Sequence, residues 1–399
     1  MGGQGRRLCH PGPRLGLHPL DLGLLHRHRG PAPGRDRRAA GGGGRPPLPG
    51  RGMKGRVICL DSRGGREAAA LIVDGRLEDL LIEPPEDRPA PEAIFRAIVD
   101  RPVKGQGGVF VRLPEGGTGF LRQASGLAPG QRLLVQVSGV AEPGKAVPVT
   151  ARLLFKSRLC ILTPGAPGLN ISRRIRDEAL REELSEIASE AMTGAADDLG
   201  LILRSACETA SDSEIAAEIV ETRALAEAVL ADVAGEPELL VDAPGAHQLA
   251  WRDWSDPSPD EIDEAEGAFE RHGVAEACEA LLSAQVPLGG GAHMAVEPTR
   301  ALVAVDVNTG SDTSPAAALK ANVAAARELP RQLRLRGLGG QVVIDFAPMP
   351  KRDRVALEQV LRAAFRGESA ETSLAGWTPL GLYELVRKRD RIPLTELLT

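Results

Sequence analysis

The chain has 399 residues, of which 42% are hydrophobic, enough for more than one core. It contains no apolar run long enough to span a bilayer, and its five scattered cysteines include no Cys-x-x-Cys pair, which excludes a disulfide scaffold and a zinc ribbon and points to a reducing compartment. The formal net charge is −5, but residues 1–52 hold ten arginines against Asp21 and Asp36, which leaves −13 for residues 53–399 and excludes attraction of a polyanion through net charge.

In chain order, residues 1–52 are dense in Gly, Pro, Arg and His and predict a disordered extension. Leu15 to Leu25 is interrupted by His18, Pro19 and Asp21, so it makes a poor signal-peptide core. Strands are expected at Val57–Leu60, Ala68–Val73 and Leu77–Ile82, with Asp74-Gly75 as a hairpin turn. Pro84, Pro85, Pro89 and Pro91 then make a linker. Five short strands follow, at Ile94–Val99, Gly108–Leu113, Thr118–Leu121, Arg132–Val137 and Val147–Leu154. They suggest a small barrel of the OB type, an architecture that commonly binds single strands. Beyond it, Asp177–Met192 reads as a helix and Leu199–Ala206 as a buried strand ending in Arg204-Ser205. Residues 210–233 read as an Ala- and Glu-rich helix, and Glu238–Val241 as a short strand. Residues 251–268, with Trp251, Trp254 and many acids, suggest no chemistry, and Phe269–Gln285 reads as helical.

Two later segments carry the chemistry. Residues 301–310 and 341–346 are short β-branched runs that end on Asp306 and Asp345, as suits strands buried on both faces. Between them a helix is expected from Pro315 to Arg336, closed by Gly337 and Gly339-Gly340. Strand, helix and strand in that order predict a βαβ crossover with parallel neighbours. Both aspartates then lie at the carboxyl ends of their strands, where open α/β sheets place ligands. With Asn308 they form a hard-cation site suited to Mg²⁺, or to Mn²⁺ in its place. Aspartates at strand ends also cap helices and begin turns, and the residues alone leave that plain alternative open.

These motifs, with residues 319–326, 331–340 and the closing 381–389, resemble the catalytic region of the ribonuclease E/G family. The likeness runs from Met53 to the C-terminus, and the Met53 to Leu60 segment is similar to the family's first strand. It implies an α/β multidomain fold. A disordered extension (1–52) precedes a split RNase H-like domain (53–93 and 235–288). An S-one type OB-fold barrel (94–155), a 5′-sensor region (156–234) and a DNase I-like α/β catalytic domain (289–399) complete the chain. The resemblance further implies a cytoplasmic Mg²⁺-dependent endoribonuclease of RNA processing or decay, acting on single-stranded RNA. Asp306 and Asp345 would bind the metal and, with Asn308, form the catalytic set. Metal-activated water would leave 5′-phosphate and 3′-hydroxyl ends. Phe110 and Phe120 would stack bases, Lys145 and Arg173 would meet phosphates, and Arg204 and Ser205 would recognise a 5′-monophosphate. Lys320, Arg327, Arg331 and Arg334 form a basic helix face that would guide the strand.

Three departures from the family pattern stand out. Pro348 occupies the place of a further acid, and Glu371 falls near that of a second sensor arginine. The cysteine pair that shares zinc between subunits in longer members is missing from these residues, so no zinc is expected and any homo-oligomer would form by other surfaces. The acidic body, Pro348 and Glu371 support, as a second reading, an RNA-binding protein of the same fold with weak or no cleavage, and the intact Asp306, Asn308 and Asp345 argue against it. A phosphohydrolase with a similar metal site is a third, weakened because the Gly-rich segments form neither a Walker nor a dinucleotide motif.

Overall fold

A computed structural model describes residues 54–398, except 86–87, 104–106, 123, 125 and 143. The expected disordered extension, 1–52, lies outside the described residues. Strands β1 (Arg56–Arg63), β2 (Arg66–Val73) and β3 (Arg76–Ile82) form an antiparallel meander. Its Asp74-Gly75 turn has φ of 49° and 74°, the left-handed pair that a tight two-residue hairpin requires. Ala68, Ala69 and Ala70 are all buried, so β2 is covered on both faces and its sequence reads as a continuous apolar run.

The next five strands are β4 (Ile94–Val103), β5 (Gly108–Arg112), β6 (Thr118–Leu121), β7 (Arg132–Val137) and β8 (Val147–Thr150). They close into a barrel, because β4 pairs with both β5 and β7 while β8 bridges β6 and β7. Closure removes the unpaired edges that strands this short would otherwise expose. Val99, Val109, Val111, Val135 and Val137 fill the interior. The barrel is OB-like.

A third sheet holds β9 (Phe155–Lys156), β10 (Cys160–Pro164), β11 (Leu169–Ile171) and β12 (Leu199–Leu203), in the order β11-β12-β10-β9. Helices α1 (Glu178–Ala191) and α2 (Asp212–Ala231) pack on it through Leu184, Ile215 and Ile219. Asp177 caps α1 by accepting from the Ala179 amide at 3.0 Å, and Ser211 and Glu214 form a capping box on α2.

Strand β13 (Glu238–Val241) adds to β4. Residues 251–268, without predicted structure, contain the last four residues of α3 (Ala246–Trp254) and all of β14 (Glu261–Asp263), which joins β1 in parallel. The stretch expected as one helix to Gln285 is instead α4 (Ala268–Arg271) and α5 (Val274–Leu281). Gly273, at φ 67°, breaks it, and Gln285 already belongs to a strand.

The last sheet holds β15 (Gln285–Gly289), β16 (Ala292–Pro298), β17 (Val303–Asn308), β18 (Gly340–Asp345), β19 (Thr372–Trp377) and β20 (Tyr383–Arg387). Its order is β15-β16-β17-β18-β20-β19, and only β17 and β18 run parallel. Helix α6 (Pro315–Leu335) makes the expected crossover; α7 (Lys351–Phe365) and α8 (Leu394–Leu397) follow. Leu329, Leu333, Leu357 and Leu361 pack against Val305 and Ile344, so α6 and α7 cover one face of the sheet.

Candidate active site

Along β17, Val303, Val305 and Val307 point into the core, which turns Asp306 and Asn308 to the opposite face. The same alternation along β18 buries Val342 and Ile344 and exposes Asp345. Asp306 and Asp345 are register partners on adjacent parallel strands, so strand spacing of about 4.8 Å sets the distance between their backbones. Asn308 donates from Nδ2 to Asp306 Oδ2 at 2.7 Å. His293 lies opposite Asn308 across the antiparallel β16 ladder. The backbone beyond Asp345 is tied down by Asn322 of α6, which is fully buried. Its Nδ2 donates to the Ala347 carbonyl at 2.8 Å, and its Oδ1 accepts from the Ala347 amide at 2.9 Å. Sequence reasoning missed Asn322; the available signal was one amide within the alanine run of the helix. Gly310 follows the first aspartate motif because a Cβ there would fall 2.5 Å from the Gly291 carbonyl oxygen.

Among the described residues, no group of three or more His, Cys, Asp or Glu converges to hold a metal. The donor set is therefore two exposed carboxylates and an amide. Mg²⁺ fits such a set, since it is commonly held by one or two carboxylates and keeps several waters. Pro348 and Glu371 are both exposed.

Phe110 and Phe120 are register partners on β5 and β6, with ring centroids 5.5 Å apart. Both rings are half-exposed and stand outside the barrel's buried core. The Arg101 guanidinium lies 5.3 Å from the Phe110 ring centroid. Gly108 makes room for the second ring, since a Cβ there would sit 2.7 Å from Phe120. Lys145 is exposed, but its Nζ is 2.6 Å from Glu142, which also takes Arg389 at 2.6 Å. The Lys145 hydrogen bond is the main cause that holds the Glu142 carboxyl below its usual range.

The expected phosphate contacts near β12 differ in their partners. Arg173 is exposed and has no polar partner among the described residues. Arg204 donates to the Ser157 carbonyl at 2.8 Å and pairs with Asp253 at 2.7 Å. Ser205 donates to Asp256, which also lies 3.3 Å from Arg174. Burial pushes the Asp253 carboxyl up, yet Arg252 and Arg204 outweigh it and hold the group below its usual range. Carboxylates of α3 and the turn after it therefore sit where an RNA phosphate was expected.

The basic face expected on α6 divides in the structure. Lys320 and Arg327 are exposed. Arg331 donates to the Leu77 carbonyl at 2.7 Å and pairs with Glu328 at 2.7 Å, while Arg334 donates to the Glu78 carbonyl at 2.8 Å and pairs with Glu368. Those two arginines bind the helix to β3 and do not line a strand path. Beneath them Asp79 accepts from Arg391 at 2.5 Å and from the Trp254 indole at 3.2 Å.

A model of the ribonuclease E/G family matches residues 155–266 and 260–390. The chain belongs to the ribonuclease E/G family. It is 30% identical over 353 residues to ribonuclease E of Synechocystis sp., covering 77% of this chain and 51% of that protein. It is 27% identical over 393 residues to ribonuclease G of Escherichia coli K12, covering 82% and 79%. A ribonuclease E/G-like chloroplastic protein of Arabidopsis thaliana is 32% identical over 176 residues, covering 41% and 18%. The chain thus spans about half the length of the cyanobacterial ribonuclease E relatives it matches. No described helix is long and apolar enough to cross a membrane.

Proposed function

We propose that this ribonuclease E/G family member is an Mg²⁺-dependent endoribonuclease of RNA processing or decay, cutting single-stranded RNA to leave 5′-phosphate and 3′-hydroxyl ends. The observation that carries this reading is the in-register pair of exposed aspartates on adjacent parallel strands, with Asn308 bound to one of them. Asp306 and Asp345 would hold Mg²⁺, or Mn²⁺. The cation, when bound, supplies charge stabilisation at the phosphoryl oxygens and a more acidic water. Asn308 restrains one oxygen of Asp306, and Asn322 restrains the backbone beyond Asp345, so the Asp306 carboxylate and the chain that carries Asp345 are placed before the substrate arrives.

The outer rings of Phe110 and Phe120 would each stack a base, an interaction worth about 1–3 kcal/mol. Arg173 and Lys145 would take phosphates, Lys145 by releasing Glu142. Arg204 and Ser205 would bind a 5′-phosphate only by exchanging their carboxylate partners. The reading carries the domain assignment with it: an RNase H-like domain split into 53–93 and 235–288, the barrel at 94–155, a 5′-sensor region at 156–234 and a DNase I-like unit at 289–399. A cytoplasmic setting is consistent with Cys59, Cys160, Cys207 and Cys278, all free and buried.

The second reading is an RNA-binding protein of the same fold with weak or no cleavage. The two-carboxylate donor set, with exposed Pro348 in place of a further acid, favours it. The deciding experiment incubates the full chain with a 5′-monophosphorylated single-stranded RNA, in Mg²⁺ or in EDTA, beside Asp345→Asn. Cutting by the wild type alone, and only with Mg²⁺, is expected. Binding with no cutting would carry the second reading.

A further inference from the structure

The sheet edge that carries Asp345 continues into an aromatic cluster. Phe346 follows Asp345, and its ring centroid lies 5.8 Å from that of Trp377. Trp377 stands edge-on to Tyr383 at 5.2 Å. Trp377 closes β19 and Tyr383 opens the antiparallel β20, so both rings sit at the same end of the sheet as Asp345. Arg354, in the first turns of α7, lays its guanidinium over the Trp377 ring, 4.4 Å from the centroid.

Arg101 over Phe110 and Arg158 over Trp251 are also stacked among the described residues, and Arg354 lies nearest of the three to its ring. Arg204, Arg331, Arg334 and Arg389 all meet carboxylates. Arg354 has no carboxylate in ion-pair range among the described residues, and its Nε is closed to solvent without an acceptor. Lys351 and Arg352, on the same turn of α7, are exposed. Asp353, 3.6 Å from Arg352, is the acid closest to these cations among the recorded ion pairs. A guanidinium held over a ring has already lost part of its freedom, and its planar fork matches a phosphate. In a body of charge −13, RNA must be held by local cations of this kind.

We propose that Arg354, braced by Trp377, binds the backbone of an RNA that passes the sheet end carrying Asp306 and Asp345. The proposal rests on the ribonuclease reading. Arg354 is a substrate-positioning residue and takes no part in bond breaking. A purely structural role for the stack would instead leave RNA binding unchanged.

The test uses the full chain as wild type, Arg354→Ala, Arg354→Lys and Trp377→Leu. Melting temperature is measured for each, with binding of a labelled single-stranded oligonucleotide in EDTA over a range of salt, and KM and kcat in Mg²⁺. Arg354→Ala is expected to weaken binding about tenfold, the factor that 1.4 kcal/mol represents. Its slope of log affinity against log salt should fall by about 0.7, one phosphate contact on a single strand. KM should rise with kcat little changed. Arg354→Lys should keep the wild-type slope, and Trp377→Leu should raise KM with the charge retained. Wild-type affinity and slope in Arg354→Ala, with only a lower melting temperature, would overturn the proposal. Should that variant not fold, Arg354→Gln is read by the same criteria. A wild type that binds but never cuts unseats the ribonuclease reading alone, and the oligonucleotide arm still decides on Arg354. A wild type that binds no RNA overturns both.

Discussion

Asp306 and Asp345 stand exposed at the ends of two strands, with an amide as their recorded side-chain partner, whereas Arg204 and Ser205, just past the end of β12, are each bound to a carboxylate. The first pair can take a ligand without giving anything up. The second pair must first release Asp253 and Asp256. Both motifs place polar groups beyond a buried strand, so the difference lies in what the rest of the fold brings to them. A charged group left without a counter-charge marks a site more reliably than its residue type does.

The comparison can be broken at several points. The largest effect is expected for Asp306→Asn or Asp345→Asn. Cleavage should fall by roughly 10²–10⁴-fold, the range for a lost electrostatic or acid–base group, while a gel shift should find RNA binding retained. Unchanged cleavage in both variants would remove the site from these strands.

Next comes Asp79, a carboxylate whose partners are complete. Asp79→Ala leaves the half-buried Arg391 guanidinium without its carboxylate, and denaturant titration should find a loss toward the low end of the roughly 3–5 kcal/mol typical of a broken buried pair. Burial alone would raise the Asp79 carboxyl, but Arg391 and Arg334 hold it below its ordinary 3.8. Its contribution is therefore present above pH 3.8 and is lost as pH falls through the lower folded-state value. The gap between wild type and variant should shrink in acid. A gap that widened there would contradict the assigned sign.

Phe110→Ala should weaken oligonucleotide binding by about 1–3 kcal/mol and leave the melting temperature nearly unchanged, because the ring stands outside the barrel core. A loss of several kcal/mol in stability would make the ring a packing residue. The smallest effect is expected for Asp256→Asn, which frees Arg174 from an ion pair worth about 0.2–1 kcal/mol and weakens the acceptor that holds the Ser205 hydroxyl. It should modestly raise the preference for 5′-monophosphate over 5′-hydroxyl RNA. Identical ratios in wild type and variant would mean that Asp256 does not compete for that phosphate.

The two regions were unequally legible in the sequence for a physical reason. Asp306 and Asp345 announce themselves through local patterning, each a short apolar run that ends on an acid. The barrel strands and the Asp74-Gly75 hairpin are local in the same sense. The partners of Arg331 and Arg334 at Leu77 and Glu78, and of Arg204 at Asp253, come from distant segments, and no spacing rule predicts them. Helix α3 was obscured by the acid-rich stretch that follows it, although Ala246, Ala250 and Trp254 form a buried stripe at four-residue spacing. Helix α7 carries a similar stripe in Leu357, Leu361 and Phe365 that the reading passed over.

Because Asp306 and Asp345 face each other across a parallel ladder, the gap between them belongs to the backbone hydrogen-bond lattice and is independent of the length of chain that joins them. Residues added to the turn at 311–313 would leave that gap untouched. Deleting one residue within Val342–Asp345 would slip the ladder, turning an aspartate toward Leu357 and an isoleucine toward solvent. The turn is thus free to drift in length, while the two strands that carry the acids are frozen residue by residue.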